Sequence, residues 1–118
     1  MKHSLYNYKA KVISVYDGDT CTVDIDLGLN TWVRGEKLRL HRINAPEMRG
    51  SEKEQGKKSR DYLREQIQDK EITLQSIRDK KGKYGRYLAE IWIEDENGNQ
   101  ININDLIVSE GFAVYKEY

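Results

Sequence analysis

The chain has 118 residues, with 20 Lys and Arg against 20 Asp and Glu, and one cysteine. This length predicts one domain, residues 1–118, with one core. A single cysteine excludes an internal disulfide, and the balanced charge gives no overall signature of a nucleic-acid-binding protein. No apolar run approaches a leader or a membrane span, so a cytoplasmic protein is expected, although a secreted protein with its signal removed would look the same.

Alternation of apolar and polar residues predicts five main strands. In chain order they cover residues 6–15, 21–27, 37–43, 72–77 and 87–94. Residues 31–33 continue the pairing of the second strand before a break at 34–36. In the third strand, period-two alternation predicts two faces, one with Leu38, Leu40 and Arg42 and the other with Arg39, His41 and Ile43.

One longer helix is predicted at residues 51–68, which contain many good helix formers. Gly50 and Gly56 indicate a loop or an irregular start of this helix. Leu63 and Ile67 lie one turn apart, but the apolar stripe is narrow. The helix is therefore expected to cover one end of a barrel.

A short second helix is predicted to begin with Asn104 as its N-cap and to end at Gly111. It follows a hairpin turn at Asn97 and Gly98, which leads to residues 100–101. The order of elements predicts an α+β, mainly β fold: a five-stranded OB-fold-type Greek-key barrel with one longer and one short helix. Such barrels bind oligonucleotides across a strand face.

Polar groups that suit a phosphate gather at the end of the third strand. Arg39 lies within the strand, and Asn44, Ala45, Pro46 and Glu47 follow it. Pro46 has no N–H to donate and pushes the residue before it into an extended conformation, so the strand stops here. The segment offers a guanidinium, an amide oxygen and a carboxylate within a short length of chain, which predicts a phosphate site.

Two further motifs flank this segment. Residues 17–20, Asp-Gly-Asp-Thr, form a polar turn in which Gly18 permits a tight reversal. Residues 83–86, Lys-Tyr-Gly-Arg, place a second arginine before the fifth strand. Residues 34–49 and 78–86 each contain five Lys or Arg, and a fold that joins them would present one face to a polyanion. Each segment alone is equally consistent with a solvated surface.

The three motifs, in this order and spacing, resemble the staphylococcal nuclease (thermonuclease) family over residues 8–115. The resemblance implies a Ca²⁺-dependent nuclease of compact phage or bacterial type that cleaves DNA and RNA with low sequence selectivity and leaves 3′-phosphate ends. It implies that Arg39 and Arg86 clamp the phosphate and that Glu47 orients or deprotonates the attacking water. Single-stranded or frayed nucleic acid is the expected substrate, and a monomer without membrane association is the expected form.

The resemblance also implies ligands for metal and substrate. Asp19, the side-chain oxygen of Asn44 and the carbonyl of Ala45 would hold Ca²⁺ together with water. The family's usual acid is replaced here by Asn44, which removes one anionic ligand and predicts weak metal binding. Two residues of the basic loop and one near the end of the chain would contact the nucleotide: Lys83, Tyr84 and Tyr115. We interpret Asp17 as a turn residue that bonds its own backbone.

Other readings stay open. Arg39 alone reads as a surface arginine, and Asp19 as a turn residue. The alternative function is a catalytically weak or inactive OB-type module that binds nucleic acid or a protein tail. Glu47, together with the two arginines, distinguishes a nuclease from a binding module, because a pure binder has no reason to keep a carboxylate beside a phosphate that it would repel. A structural phage protein with an incidental barrel would explain the fold but none of the motifs.

Overall fold

The computed structural model describes residues 6–77 and 85–116. Its strands are β1 (Asn7–Asp17), β2 (Thr20–Gly28), β3 (Thr31–Leu40), β4 (Ile43–Asn44), β5 (Glu71–Ser76), β6 (Tyr87–Glu94), β7 (Gln100–Asn102) and β8 (Val114–Tyr115). Its helices are α1 (Lys53–Ile67), which follows a single 3₁₀ turn at Gly50–Glu52, and α2 (Ile103–Ser109). Neither helix has the length and apolar character needed to cross a membrane.

Five of the strands close into a barrel. The main sheet has the order β3-β2-β1-β5-β6-β7, and β3 also pairs with β6. This last pairing is parallel and joins Leu38 to Tyr87 and Leu40 to Ala89. β4 and β8 form a separate two-stranded ladder beside the barrel. The predicted fold class, a mainly β five-stranded barrel of OB type with a longer and a shorter helix, is confirmed.

The inward faces of the strands fill the core. In β2 the alternating residues Cys21, Val23 and Ile25 are buried, as their period-two spacing predicts. α1 packs on β1 and places Leu63 and Ile67 in the same cluster. Burying each of these two side chains contributes roughly 1.5–3 kcal/mol. Burial raises the pKa of the Cys21 thiol to about 12, so the cysteine is a small core residue with no thiolate character.

The third strand is longer at its start than predicted. The predicted break at residues 34–36 is wrong, because β3 runs without interruption from Thr31. Gly35 has a φ of +69° and the ladder with β2 shifts register here, which identifies a β-bulge. The Asp24 carboxylate accepts hydrogen bonds from the Gly35 N–H and from Arg34, so the bulge has its own partner on β2.

The same strand is shorter at its end than predicted. β3 stops at Leu40, and Arg42 has a φ of +70° in the turn that follows. The predicted alternation is therefore wrong beyond Leu40: Ile43 is fully buried and Arg42 is partly exposed. When a residue other than glycine has a positive φ, the alternation of apolar and polar residues does not reveal it. The hydrogen bonds and ion pairs that hold such a residue come from positions distant in the chain.

The predicted N-cap of α2, Asn104, is wrong. Asn102 accepts a hydrogen bond from the Asp105 N–H at 2.8 Å, so Asn102 is the cap. Asn104 lies inside the helix and is fully buried. Its side-chain oxygen accepts a hydrogen bond from the N–H of Ile91, and its side-chain nitrogen donates to the carbonyls of His41 and Ala89. The predicted helix end at Gly111 is right, since Gly111 has a φ of +86° directly after the last turn.

Candidate active site

Two adjoining grooves contain the predicted site residues that the structure describes, apart from Tyr115. The first, here called the carboxylate groove, has a volume of about 390 Å³ and is lined by Asp17, Asp19, Arg39, Asn44, Ala45 and Glu47 among others. The second, here called the arginine groove, has a volume of about 1050 Å³ and is lined by Lys37, Glu47, Arg49, Arg60, Arg64 and Arg86 among others. Glu47 lines both grooves, so it lies at their junction.

The β1–β2 turn places Asp19 at the bottom of the carboxylate groove. The Asp17 carboxylate accepts the N–H of Asp19 at 3.0 Å, the local bond expected of an aspartate that opens a turn. Gly18 is required because a Cβ there would overlap the Ser59 hydroxyl of α1. The Asp19 side chain is buried and accepts the N–H of Ala45 at 2.8 Å. This bond fixes the segment after β4 against the turn.

Arg39 lies over these oxygen atoms. It pairs with Thr20 across the β2–β3 ladder, which brings it beside the turn. Its Nη2 is 3.4 Å from Asp19 Oδ2 and 3.3 Å from Asn44 Oδ1, and its Nη1 donates to the carbonyl of Leu40 at 2.8 Å. Only 13% of the side chain is exposed. These contacts hold the guanidinium in one orientation, facing the oxygens that the sequence predicts as metal ligands.

Asp17 brings a second carboxyl group to the groove. Burial, together with the neighbouring Asp19 carboxylate, raises the pKa of Asp17 to about 6. Besides its bond within the turn, Asp17 thus contributes a half-buried carboxyl group to the lining of the groove. Two carboxyl groups this close repel each other when both are ionised, and a bound cation would relieve that repulsion.

Glu47 follows Pro46 and is exposed. Its backbone N–H donates to the Glu52 carboxylate at 3.0 Å, which ties the segment to the start of α1. Its side chain is 68% exposed and lies 3.7 Å from the Arg49 Nε. The carboxylate is thus fixed at its backbone and open to water, as a group that activates a water molecule needs to be.

Arg86 directly precedes β6 and lines the arginine groove together with Glu47. The carboxylate groove, which holds Arg39 and Asp19, does not include Arg86 in its lining. Glu47 is thus the predicted site residue that lines both the groove of Arg39 and the groove of Arg86. The two other members of the basic motif, Lys83 and Tyr84, lie outside the described residues.

Tyr115 lies beside the grooves and is not in the lining of either. Through the β4–β8 ladder it is paired with Ile43, next to Asn44 in the chain. Its hydroxyl donates to Asp105 at 2.9 Å, and the Arg42 guanidinium lies 5.8 Å from its ring centroid. The predicted contact between Tyr115 and a nucleotide stays a prediction.

Comparison with known proteins identifies the family. Residues 37–118 match the family described as staphylococcal nuclease homologue. The chain belongs to this family. The resemblance predicted from the three motifs is therefore confirmed, and the match begins within β3 and includes Arg39, Glu47 and Arg86.

Three curated relatives are each 30% identical to this chain. The chain is 30% identical to a thermonuclease of Staphylococcus hyicus, over 92% of this chain and 59% of the relative. It is 30% identical to a thermonuclease of Staphylococcus intermedius, over 88% and 57%, and to an uncharacterised protein of Methanocaldococcus jannaschii, over 91% and 58%. The chain thus spans less than three fifths of the length of these curated relatives.

The carboxylate groove suits a hard cation in its ligand chemistry. Asp17 and Asp19 offer carboxylate oxygens and Asn44 an amide oxygen, and these are the hard oxygen ligands that Ca²⁺ takes. Within residues 6–77 and 85–116, no three His, Cys, Asp or Glu side chains are grouped as a metal site. The donor set fits a Ca²⁺ ion that keeps several waters. The Ala45 N–H is the group bonded to Asp19, so metal binding by its carbonyl stays a prediction.

Gly56 is a residue beside the site whose role sequence reasoning missed. The sequence predicts a loop or an irregular helix start at Gly56, but the residue is buried inside α1, where a Cβ would overlap the backbone carbonyl of Glu47. The helix therefore packs directly against the segment that carries the candidate catalytic carboxylate. A glycine inside a run of good helix formers was the available signal, because it lowers helix propensity and so needs a packing reason.

Gly56→Ala is expected to lower the free energy of unfolding by about 2 kcal/mol. The added Cβ would meet the Glu47 backbone, which puts the cost near the upper end of the usual range of about 1–3 kcal/mol for overpacking. A gain of about 1 kcal/mol in intrinsic helix propensity offsets part of this cost. Chemical denaturation measures the effect, and Gln55→Ala, at the exposed neighbouring position, is the control. A Gly56→Ala protein as stable as the control would mean that α1 and the Glu47 segment separate readily.

Proposed function

We propose that this protein is a nuclease that hydrolyses phosphodiester bonds in DNA and RNA with low sequence selectivity. The observation that supports this is Glu47, an exposed carboxylate at the junction of two grooves that contain Arg39 and Arg86. Membership of the staphylococcal nuclease family, with two relatives named thermonucleases, supports the same reaction.

The proposed reaction is attack of water on phosphorus. Glu47 takes a proton from the water, the new P–O bond forms, and the bond to the 5′ oxygen breaks. The 5′ oxygen leaves and is protonated by solvent, so the products are a 3′-phosphate and a 5′-hydroxyl. Arg39 and Arg86 would each present two N–H groups to the phosphoryl oxygens and stabilise the added charge.

Ca²⁺ is the proposed cofactor, with Asp19, Asn44 and Ala45 as its proposed ligands. When bound, the ion would supply positive charge beside the phosphate, the role that metal ions have in many phosphodiesterases. Asp19 and Asn44 already lie at 3.4 Å and 3.3 Å from the Arg39 Nη2. Arg39 thus partly balances the charge of the proposed metal ligands.

Low sequence selectivity follows from the kind of group that lines the site. Guanidinium and hydroxyl groups are present in the linings of both grooves. These groups bind the phosphate backbone, which is the same for every sequence and carries no base information. Single-stranded or frayed nucleic acid is the proposed substrate, because it can follow a groove beside a barrel more closely than a rigid duplex can.

A cleavage assay tests the proposal. Labelled DNA and RNA of one sequence, each single- and double-stranded, are incubated with Ca²⁺, with Mg²⁺ and with a chelator, and the ends of the products are identified. We expect Ca²⁺-dependent cleavage that leaves 3′-phosphates and is strongly reduced in Arg39→Lys, since a point charge replaces a bidentate donor. Tight binding without cleavage in any metal would instead support a binding module.

Asn44→Asp is expected to lower the Ca²⁺ concentration for half-maximal activity by about tenfold. The substitution adds an anion beside Asp19, and a gain of about 1.4 kcal/mol corresponds to that change in affinity. Calorimetric titration of Ca²⁺ in the absence of substrate gives a second measurement. Asn30→Asp, an equal charge change in the exposed β2–β3 turn, is the control. An unchanged Ca²⁺ dependence in Asn44→Asp would mean that residue 44 does not ligate the metal.

A further inference from the structure

The two grooves differ in charge. The carboxylate groove has three acidic residues, Asp17, Asp19 and Glu47, against two arginines. The arginine groove shares two of these acids but has five cationic residues: Lys37, Arg49, Arg60, Arg64 and Arg86. The positive charge therefore increases from the candidate metal site, across the junction, towards α1. The proposed cleavage reaction uses Arg86 alone among these cations.

The two cations from α1 are held in place. Arg60 and Arg64 lie one turn apart and so project from the same side of the helix. The Nε and Nη2 of Arg64 donate to the carbonyl of Val15 at 3.3 Å and 3.1 Å, and the guanidinium of Arg60 contacts Asp61 at 3.0 Å. A guanidinium has five N–H groups, so these contacts still leave donors for an anion.

The rest of the arginine groove suits a nucleotide chain. Its volume of about 1050 Å³ exceeds that of most small-molecule pockets. Thr22 lines one wall and can donate its hydroxyl hydrogen to a phosphate oxygen, whereas the hydroxyl of Thr20 already donates to Asp19 at 3.1 Å. Tyr16 lines both grooves and is 71% exposed, which offers an open ring face for a base at the junction.

We propose that the arginine groove is a second phosphate subsite, formed chiefly by Arg60, Arg64 and Lys37, which binds the phosphodiester next to the one that is cleaved. This rests on the proposed function, because it places the cleaved phosphate at Glu47. The substrate is accordingly an extended polynucleotide strand, not a mononucleotide ester. The strand runs from the carboxylate groove over Tyr16 towards α1.

The test measures binding to a labelled single strand of about twelve nucleotides, within the range that one OB barrel covers. A chelator prevents cleavage. Arg60→Gln is expected to weaken binding by about tenfold. It should also make the negative slope of log affinity against log salt shallower by about 0.7, the value for one phosphate contact to a single strand. Arg60→Lys, which keeps the charge, should keep the slope. Arg34→Gln, at an exposed arginine in neither lining, should bind as the unchanged protein does.

Equal affinity and salt slope for Arg60→Gln and the unchanged protein would overturn the proposal. An equal loss of affinity in Arg34→Gln would also overturn it, because binding would then depend on the total charge of the protein and not on a defined subsite. A polyglutamate peptide that binds as tightly as the oligonucleotide, with the same dependence on Arg60, would overturn the substrate class. Cleavage of a dinucleotide by the unchanged protein reports separately on the proposed function, so its absence beside Arg60-dependent binding would leave the subsite standing.

Discussion

Glu47→Gln is expected to lower the rate of phosphodiester cleavage by about 10²–10⁴-fold, the usual contribution of a positioned general base. Glutamine has nearly the same shape but cannot accept a proton from water. The backbone bond from Glu47 to Glu52 does not involve the side chain that changes, so the segment should keep its place. Binding of the oligonucleotide in a chelator should stay the same or become tighter, because a negative charge beside the phosphate is removed.

Single-turnover cleavage at saturating Ca²⁺ separates this effect from metal or substrate binding. Glu54→Gln is the matched control: it makes the same charge change at an exposed position in the first turn of α1, outside both linings. Unchanged turnover in Glu47→Gln would show that another group activates the water. An equal loss in both variants would assign the effect to the overall charge of this face.

The barrel could be predicted from the sequence because its signals are local. Period-two alternation depends only on which face of a strand meets the core, and for β6 the predicted range, residues 87–94, is the one observed. The prediction was wrong where distant groups decide the backbone. Arg42 takes a left-handed turn beside Glu90 of β6, and Asn104 is buried because it bonds to the barrel. Neither partner is close in the chain.

Residues of the candidate site could be predicted from the sequence only where the signal is local. Asp19, Arg39, Asn44 and Glu47 were predicted because they belong to short motifs, and the structure brings all four into the lining of one groove. Arg60 was not predicted as a site residue, since nothing in the sequence distinguishes it from the other charged residues of the helix. Its place in a groove depends on how the opposite, apolar side of α1 packs on β1, which the spacing of that side alone does not determine.

Arg42 and Glu90 form an ion pair with a buried carboxylate, which links the turn after β3 to β6. Arg42 donates to both carboxylate oxygens through Nε and Nη2, at 2.8 Å and 2.7 Å, and Asn102 donates to Glu90 at 2.9 Å. Arg42 also lies 3.0 Å from Asp105 at the start of α2. The Glu90 side chain is only 8% exposed, so in the folded protein its charge is balanced by these partners and hardly by water.

Arg42→Met is therefore expected to lower the free energy of unfolding by about 3 kcal/mol, because it leaves a buried carboxylate without its cation. In a domain whose total stability is about 5–15 kcal/mol, this is a large share. Both residues have a side chain at the positive φ of this turn, so backbone strain largely cancels. Urea denaturation measures the loss, and Arg34→Met is the control: Arg34 pairs with Asp24 while 66% exposed, and its loss should cost within about 1 kcal/mol.

The double variant Arg42→Met with Glu90→Leu tests the cause of that loss. If the cost comes from the unpaired carboxylate, replacing both partners with apolar side chains should recover most of the stability, since buried ion pairs are often no better than a packed apolar pair. If the cost comes from the turn itself, the double variant should be at least as unstable as Arg42→Met. An Arg42→Met loss no larger than that of Arg34→Met would contradict both accounts and would mean that water reaches Glu90 when the arginine is gone.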